Sequence, residues 1–186
     1  DGYDINNIPL KLIRENIGYV PQDNFLFSET ISRNIAFAGP EKINEPQIKK
    51  AAQYAEVYDN IIEFPDKFET LLGERGANVS GGQKQRISIA RALIKDPQIL
   101  ILDDSLSAVD THTEEMILQH LQEIMKDKTS IIISHRISTI KDADKIFVLD
   151  QGRLVEKGDH ETLLKNQKLY YDLYQKQQLE EKIANS

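Results

Sequence analysis

The spacing of apolar residues changes along the chain, and each change predicts a different kind of element. Between residues 45 and 62 the apolar positions recur at helical spacing, which predicts a small helical region. These positions are Ile48, Ala51, Ala52, Ala55, Tyr58, Ile61 and Ile62. Residues 99–102 are instead an unbroken run of isoleucine and leucine, typical of a central parallel strand covered on both faces.

Shorter patterns complete the predicted order of elements. The first half is predicted to contain helices at 10–16 and 29–37, a helix that follows Gly82 and runs to Lys95, and a strand at 17–20 that Pro21 stops. The second half is predicted to contain strands at 99–102, 130–133, 145–149 and 153–156, of which the last is antiparallel. Helices are predicted at about 112–125 and 138–141. Two more are predicted, one capped by Asp159 and one that begins near Lys168. The last helix is predicted to pack through Tyr170, Tyr171, Leu173 and Tyr174. Alternating strands and helices predict an α/β sheet with an inserted helical subdomain.

Composition and charge narrow the classes of function. The 186 residues carry 23 basic and 30 acidic side chains, and this net charge of -7 argues against binding nucleic acid through a basic face. There is no cysteine, which excludes disulfides and thiol chemistry. There is no run of roughly 18 apolar residues, so we expect no membrane-spanning helix within these residues. The chain begins with Asp-Gly-Tyr-Asp, and we expect it to be the middle of a longer protein.

The most informative stretch is 79–86, Val-Ser-Gly-Gly-Gln-Lys-Gln-Arg, at the start of a predicted helix. Ser80, Gly81 and Gly82 place backbone N–H groups at the positive end of the helix dipole, and the glycines lack the Cβ that would hold a phosphate away. Taken alone, Ser80 could equally be an ordinary helix N-cap. The hydrophobic strand that ends in aspartates shortly afterwards favours a phosphate-binding role.

Polar residues at predicted strand ends are further candidates. Asp103 ends a buried strand and could hold Mg²⁺, usually through water, or could instead cap the next helix. Gln22 and His135 also follow predicted strands, although Pro-Gln at a strand end is commonplace and a lone histidine is more often structural. A Ser80–His135–Asp hydrolase triad is set aside, because Ser-Gly-Gly-Gln lacks the Gly-x-Ser-x-Gly elbow.

Six segments resemble, in the same order, motifs of the ABC ATPases. Residues 18–22 resemble the Q-loop, 73–76 the loop peculiar to exporters, 79–86 the signature motif, 99–104 the Walker B strand, 107–110 the D-loop and 134–136 the switch-histidine loop. The resemblance covers essentially the whole chain and implies an α/β P-loop NTPase (ABC ATPase) sheet with an inserted α-helical subdomain, incomplete at the N-terminus. It implies a helical subdomain at about 29–95, a RecA-like α/β part at about 96–165 and a C-terminal helical tail at about 166–186.

The resemblance also implies roles for individual residues, with ATP and Mg²⁺ as cofactors. The implied cofactor-binding residues are Ser80, Gly81, Gly82, Gln83, Asp103 and Asp110; the metal ligands are Gln22 and Asp103; the catalytic residues are Asp104, His135 and Gln22. In this family the signature of one subunit completes the ATP site of the other. Asp110 would couple the two sites across that dimer interface.

Two features depart from the family pattern. The phosphate loop Gly-x-x-x-x-Gly-Lys-Ser/Thr occurs nowhere in the 186 residues, and we expect it upstream of Asp1. Without it, we expect this chain alone to bind ATP poorly or not at all. Position 104 is Asp where hydrolytic members usually have Glu, which is longer by one methylene, roughly 1.5 Å. We therefore predict slow hydrolysis at the site built on this Walker B strand, with a rearranged but working Asp104 as the alternative.

The resemblance implies the nucleotide-binding domain of an ABC exporter of drugs, lipids or peptides at the cytoplasmic face of the plasma membrane. Residues 23–35 and 73–76 resemble the exporter class. We expect a transmembrane domain upstream, a second and different half-transporter subunit as partner, and no nucleic-acid partner. Two alternatives remain open: an ABC ATPase that acts on DNA or ribosomes, which the acidic charge opposes, and a regulatory subunit that binds ATP without turnover.

Overall fold

Contacts divide the chain into two units, Asp1–Ile133 and Ser134–Ser186. The structure, a computed structural model, describes residues 2–39 and 43–184, with only the backbone at 181 and 184. Residues 40–42 of the predicted helical subdomain and 185–186 of the predicted tail lie outside the described residues. The predicted boundaries near residues 29, 95 and 165 stay a prediction.

The first unit combines a parallel sheet with short helices. Its elements are α1 (Leu10–Asn16), β1 (Ile17–Val20), α2 (Ile31–Ala36), α3 (Glu45–Tyr54), α4 (Tyr58–Glu63), α5 (Gly81–Leu93), β2 (Ile99–Asp103), α6 (Thr111–Ile124) and β3 (Thr129–Ile133), with 3₁₀ turns at Ile5–Asn7, Lys67–Glu69 and Glu74–Gly76. The strands lie in the order β1-β2-β3 and are all parallel. The predicted strands and helices are confirmed, with differences of one or two residues at their ends.

The central strand β2 differs between its two faces. Leu100 and Leu102 are fully buried, whereas the alternating residues Ile99 and Ile101 are half-buried. Successive side chains of a strand point to opposite faces, so only one face is fully covered by the described residues. The prediction of cover on both faces is therefore correct for one face and too strong for the other.

The helical region predicted at 45–62 consists of two helices. At the end of α3, Glu56 has a left-handed φ of 52°, the Val57 N–H donates to the Ala52 carbonyl at 3.0 Å, and the Glu56 N–H donates to the Gln53 carbonyl at 3.0 Å. This is a Schellman ending, which closes a helix by satisfying its last carbonyls. The apolar spacing continues across the break because α4 resumes at Tyr58 with the same buried face.

The core of the first unit lies between the sheet and helices α2 to α6. Its fully buried side chains include Leu26, Ile31, Ile35, Ala52, Ile61, Leu72, Ile87, Ile89, Leu100, Leu102 and Ile117. Helix α2 begins two residues later than predicted, because Thr30 is its N-cap and accepts a hydrogen bond from the Arg33 N–H. Glu29 instead pairs with the chain at Leu72, whose N–H donates to the Glu29 carbonyl at 3.0 Å.

The second unit pairs two antiparallel strands with three helices. Its elements are α7 (Ile137–Ile140), β4 (Ile146–Asp150), β5 (Arg153–Gly158), α8 (His160–Asn166) and α9 (Leu169–Ala184). Asp159 caps α8 as predicted, accepting from the Thr162 N–H at 2.8 Å. In α9, Tyr170 is buried, but Leu173 is 41% exposed, so its predicted place on the packing face is wrong. Tyr170, Leu173, Tyr174 and Gln177 all fit one helical face, with Leu173 at its exposed edge.

A search of the described helices for a membrane span was negative. None of them combines the length and the apolar character needed to cross a bilayer.

Candidate functional site

The carboxyl ends of β1 and β2 bring four polar side chains together. The two strands are in register with Val20 beside Leu102, so the residues that follow them emerge at one edge of the sheet. The Tyr19 hydroxyl donates to Asp103 Oδ2 at 3.2 Å, and the Gln22 amide Nε2 lies 3.4 Å from Asp104 Oδ2. Gln22, Asp103 and Asp104, which were identified from sequence, are therefore neighbours.

The backbone around Asp104 turns sharply at the end of β2. Asp104 has a left-handed φ of 44°, a conformation that aspartate tolerates better than most residues. Its N–H donates to the Ile133 carbonyl at 2.8 Å, and its carbonyl accepts from Ser107 Oγ at 2.9 Å. Asp103 does not cap the next helix, since the N-cap of α6 is Asp110. The two adjacent carboxylates thus have different partners, Tyr19 for Asp103 and Gln22 for Asp104.

Partial desolvation raises the pKa of Tyr19, and its hydrogen bond with Asp103 and the charge of that carboxylate raise it further. The tyrosine therefore stays protonated at neutral pH and acts as a donor to Asp103. Sequence reasoning missed Tyr19. The alternation of the strand could have indicated it, because Tyr19 is an exposed residue between the buried Gly18 and Val20.

The signature segment forms a capping box at the start of α5. Ser80 Oγ accepts from the Gln83 N–H at 3.2 Å, and Gln83 Oε1 accepts from the Ser80 N–H at 2.9 Å. Both residues therefore have the capping role that was the simpler interpretation of Ser80. The first-turn N–H groups of Gly81 and Gly82 have no acceptor within the helix, as for any helix start. Capping and anion binding are compatible, because they use different groups.

The start of α5 packs directly on the segment that resembles the D-loop. A Cβ added to Gly82 would lie 2.9 Å from the Ala108 carbonyl oxygen, whereas one on Gly81 would lie 3.7 Å from Ala108 Cβ. One turn further, the buried Gln85 accepts from the Ala108 N–H at 3.0 Å and donates to Ser107 Oγ at 3.3 Å. The signature helix and the D-loop segment of this chain therefore stabilise each other's conformation.

Asp110 is the N-cap of α6 and accepts from the Thr113 N–H at 3.0 Å. The hydrogen bond from Thr113 lowers the pKa of Asp110 below its usual value, and the charge of Arg86 lowers it further. Arg86 on α5 donates to the carbonyls of Gly82 and Glu56. Burial lowers the pKa of Arg86, while the carboxylates of Asp110 and Glu56 oppose that shift.

His135 lies in the second unit, two residues before α7, and its side chain is exposed. Its carbonyl accepts a hydrogen bond from Gln177 Nε2 at 2.6 Å. Gln177 and Gln85 were both missed from sequence. Glutamine on a helix is usually solvated, and only the fold reveals that these two contact loops far away in the chain.

The oxygen donors at the strand ends suit Mg²⁺. Asp103 supplies a carboxylate and Gln22 an amide, and this ion commonly takes one or two protein oxygens together with water and phosphate oxygens. Within the described residues, no group of three or more histidine, cysteine, aspartate or glutamate side chains could hold a metal by itself. Asp103 and Gln22 are therefore the residues that could hold Mg²⁺, with water or other ligands completing its coordination.

Comparisons with known proteins agree with this architecture. Residues 1–107 match the family described as ABC transporter. The ATP-dependent lipid A-core flippase of Syntrophus aciditrophicus is 45% identical over 184 residues, which are 99% of this chain and 30% of that protein. The probable multidrug resistance ABC transporter ATP-binding/permease protein YheI of Bacillus subtilis is 47% identical over 178 residues, 96% of this chain and 30% of that protein.

A solved structure of a bacterial Atm1-family ABC exporter with ATP bound has the same fold, with a TM-score of 0.91 and 44% identity. The match covers 95% of this chain and 31% of that one. The predicted ABC ATPase fold is thereby confirmed. On its sequence motifs, its fold and the match over more than half of its length, this chain belongs to the ABC transporter family.

Proposed function

We propose that this chain is the ATP-binding and ATP-hydrolysing part of an ABC exporter that moves drugs, lipids or peptides across a membrane. The observation that carries the proposal is the grouping of Gln22, Asp103 and Asp104 at one edge of the parallel sheet. It is supported by the names of the relatives, among them a lipid A-core flippase and a probable multidrug resistance transporter. The chain spans 30% of the length of each, so the activity belongs to a longer protein.

The residues of the chain would share the work at the nucleotide. Asp103 and Gln22 would hold Mg²⁺, and this ion when bound neutralises charge on the phosphates. Asp104 would accept a hydrogen bond from the attacking water and orient it. His135 would donate to the γ-phosphate, the role that the family pattern gives it.

The signature would serve the ATP site of a second subunit. Ser80, Gly81, Gly82 and Gln83 start α5 at the positive end of its dipole, which favours contact with a nucleotide phosphate. Asp110 would couple the two sites across the dimer. A transmembrane domain upstream, and a place at the cytoplasmic face of the plasma membrane, complete the proposal.

We further propose that the two ATP sites are unequal. Asp104 carries its carboxylate roughly 1.5 Å closer to the backbone than glutamate would. Displacing a reacting group by about 1 Å can lower a rate by about a hundredfold. The site on this chain would therefore bind ATP and turn it over slowly, and a different partner with a competent Walker B side would supply the fast site.

The test is Asp104→Glu in the purified full-length transporter together with its partner. We expect the variant to raise ATP hydrolysis, by up to about a hundredfold at this chain's own site, because glutamate extends its carboxylate roughly 1.5 Å further toward the attacking water and orients it better than Asp104 does. Asp150→Glu, at the exposed end of β4, is the matched control and should leave the rate unchanged. The measurement is steady-state release of phosphate.

Three results would count against parts of the proposal. If Asp104→Glu lowers hydrolysis, Asp104 already orients the water and the unequal sites are wrong. If the parent and the variant bind ATP equally and neither hydrolyses it at this site, the chain is a regulatory subunit. If neither binds or hydrolyses ATP, the proposed function itself is wrong.

A further inference from the structure

The loop that contains His135 is held from outside its own sequence. It joins Ser134 to α7, a helix of four residues, which is too short to be stable by itself. The side chain of the N-cap residue Arg136 does not cap α7, and the first N–H group of α7, on Ile137, needs an acceptor outside the helix. The exposed His135 side chain gains little from packing.

Gln177 on α9 supplies that acceptor and a donor as well. Its Oε1 accepts from the Ile137 N–H at 2.8 Å, and its Nε2 donates to the His135 carbonyl at 2.6 Å. One amide therefore engages the backbone on both sides of the Arg136 residue, in the donor–acceptor pattern of two paired strands. Two hydrogen bonds from one planar group fix the direction of the His135 carbonyl as well as its distance.

A local contact holds the other side of the same loop. Ser134 Oγ accepts from the Arg136 N–H at 2.9 Å and lies 3.3 Å from Thr139 Oγ1. This contact arises from neighbours in sequence and shapes a turn. Gln177 is 42 residues from His135 in sequence, so its contact reports the packing of α9 rather than local turn formation.

The face of helix α9 that carries Gln177 is held in place by packing and hydrogen bonds. Tyr170, seven residues earlier on the same face, is 1% exposed, and its N–H donates to Glu156 Oε1 at 2.9 Å. Its hydroxyl pairs with His160 Nδ1 at 2.7 Å. Tyr174 lies between Tyr170 and Gln177 on that face and packs on the core of the second unit. The glutamine is thus presented by a fixed helix.

We propose that Gln177 is a positioning residue for His135. It holds the peptide groups on both sides of Arg136, and the imidazole of His135 is placed by the backbone that carries it. The assignment rests on the proposed function, in which His135 contacts the γ-phosphate. Loss of the Gln177 amide frees the loop and lowers the rate of the chemical step, with less effect on ATP binding.

The experiment compares Gln177→Leu with Gln175→Leu in the full-length transporter and its partner. Leucine has a similar size but neither donates nor accepts, and Gln175 is an exposed residue on the same helix. The parent protein carries Asp104→Glu, so that the site on this chain turns over. His135-dependent turnover is defined as the part of hydrolysis that His135→Ala removes.

We expect Gln177→Leu to lower the kcat of His135-dependent turnover by about tenfold or more. The reason is that displacing a catalytic group by about 1 Å can lower a rate by about a hundredfold. KM for ATP should change less than kcat. Adding Gln177→Leu to His135→Ala should cause no further loss, which a merely structural role would not predict. Hydrogen exchange in the segment 135–140 should be faster in Gln177→Leu and unchanged in Gln175→Leu.

The two failures can be told apart. If His135→Ala leaves hydrolysis intact, the proposed role of His135 is wrong and the assignment falls with it. If His135→Ala removes turnover but Gln177→Leu alone retains it, only the assignment to Gln177 is overturned. The same holds if Gln177→Leu lowers the residual turnover of the His135→Ala protein by the same factor as it lowers that of the parent. Unchanged exchange in 135–140 would also overturn it.

Discussion

At the scale of single residues, Gly82 shows how one position can satisfy two demands. The sequence suggests that a missing Cβ lets a phosphate approach. The structure adds that a Cβ here would lie 2.9 Å from the Ala108 carbonyl, closer than side-chain contacts allow. Gly82 is therefore required by packing between α5 and the D-loop segment, whatever it binds.

Gly82→Ala is predicted to destabilise the chain by about 1–3 kcal/mol, the usual effect of overpacking. Gly81→Ala is the matched control, since its Cβ would make an ordinary contact at 3.7 Å. It should be neutral or stabilise by up to about 1 kcal/mol. Urea unfolding of both variants measures the difference. Equal stabilities would show that the Ala108 carbonyl moves aside freely.

The site residues divide into those that sequence can identify and those that it cannot. Asp103, Asp104 and Gln22 follow predicted strands, and parallel strands end at a common edge, so their meeting could be predicted. Gln85 and Gln177 could not, because each acts on a backbone segment at least 22 residues away. A helical pattern says which residues are buried but not which loop lies against them.

At the scale of elements, α5 connects the candidate site to the helical region. Its Arg91 donates to the carbonyls of Asn34 and Phe25 and to Asn34 Oδ1, at 2.7–2.8 Å, and lies over the Phe27 ring. Burial lowers the pKa of Arg91 to about 10, so it remains charged at neutral pH. One guanidinium thus ties the signature helix to α2 and to the segment after the Q-loop.

Arg91→Lys is predicted to destabilise the chain by about 1–3 kcal/mol, because an ammonium cannot reproduce the planar fork that serves the Asn34 carbonyl, Asn34 Oδ1 and the Phe25 carbonyl at once. Arg33→Lys is the matched control. Arg33 pairs with Glu29 at an exposed site, where a charge pair contributes about 0–1 kcal/mol. Guanidinium unfolding tests the contrast. If both substitutions have the same small effect, the Arg91 contacts contribute nothing specific.

Apolar spacing predicts where helices lie but not where backbone geometry divides them or which positions of a helix are buried. The pattern over 45–62 continues through a helix ending at Glu56, because the two helices present the same face to the core. In α9 the aromatic run suggested that Leu173 packs, but the buried stripe follows Tyr170, Tyr174 and Gln177. Periodicity identifies the helices. It does not show the left-handed backbone at Glu56 or the packing of the polar residue Gln177, which only the structure reveals.

At the scale of the whole molecule, the proposed function needs a signature that serves another subunit. The chain's own Walker B side ends in Asp104, whereas its signature helix is capped, buried and tied to the D-loop segment. We therefore expect most turnover of the transporter to depend on Ser80 rather than on Asp104.

The most direct measurement is ATP hydrolysis by the full-length transporter and its partner with Ser80→Asp. Aspartate caps a helix as well as serine does, so the helix should persist, but its negative charge would repel a phosphate. Asn44→Asp, at the capping box of α3, makes a comparable exchange away from the site. We predict that Ser80→Asp lowers turnover by about tenfold or more, on the scale that such groups contribute, while Asn44→Asp retains it. Full turnover in a stable Ser80→Asp protein would contradict the role of the signature.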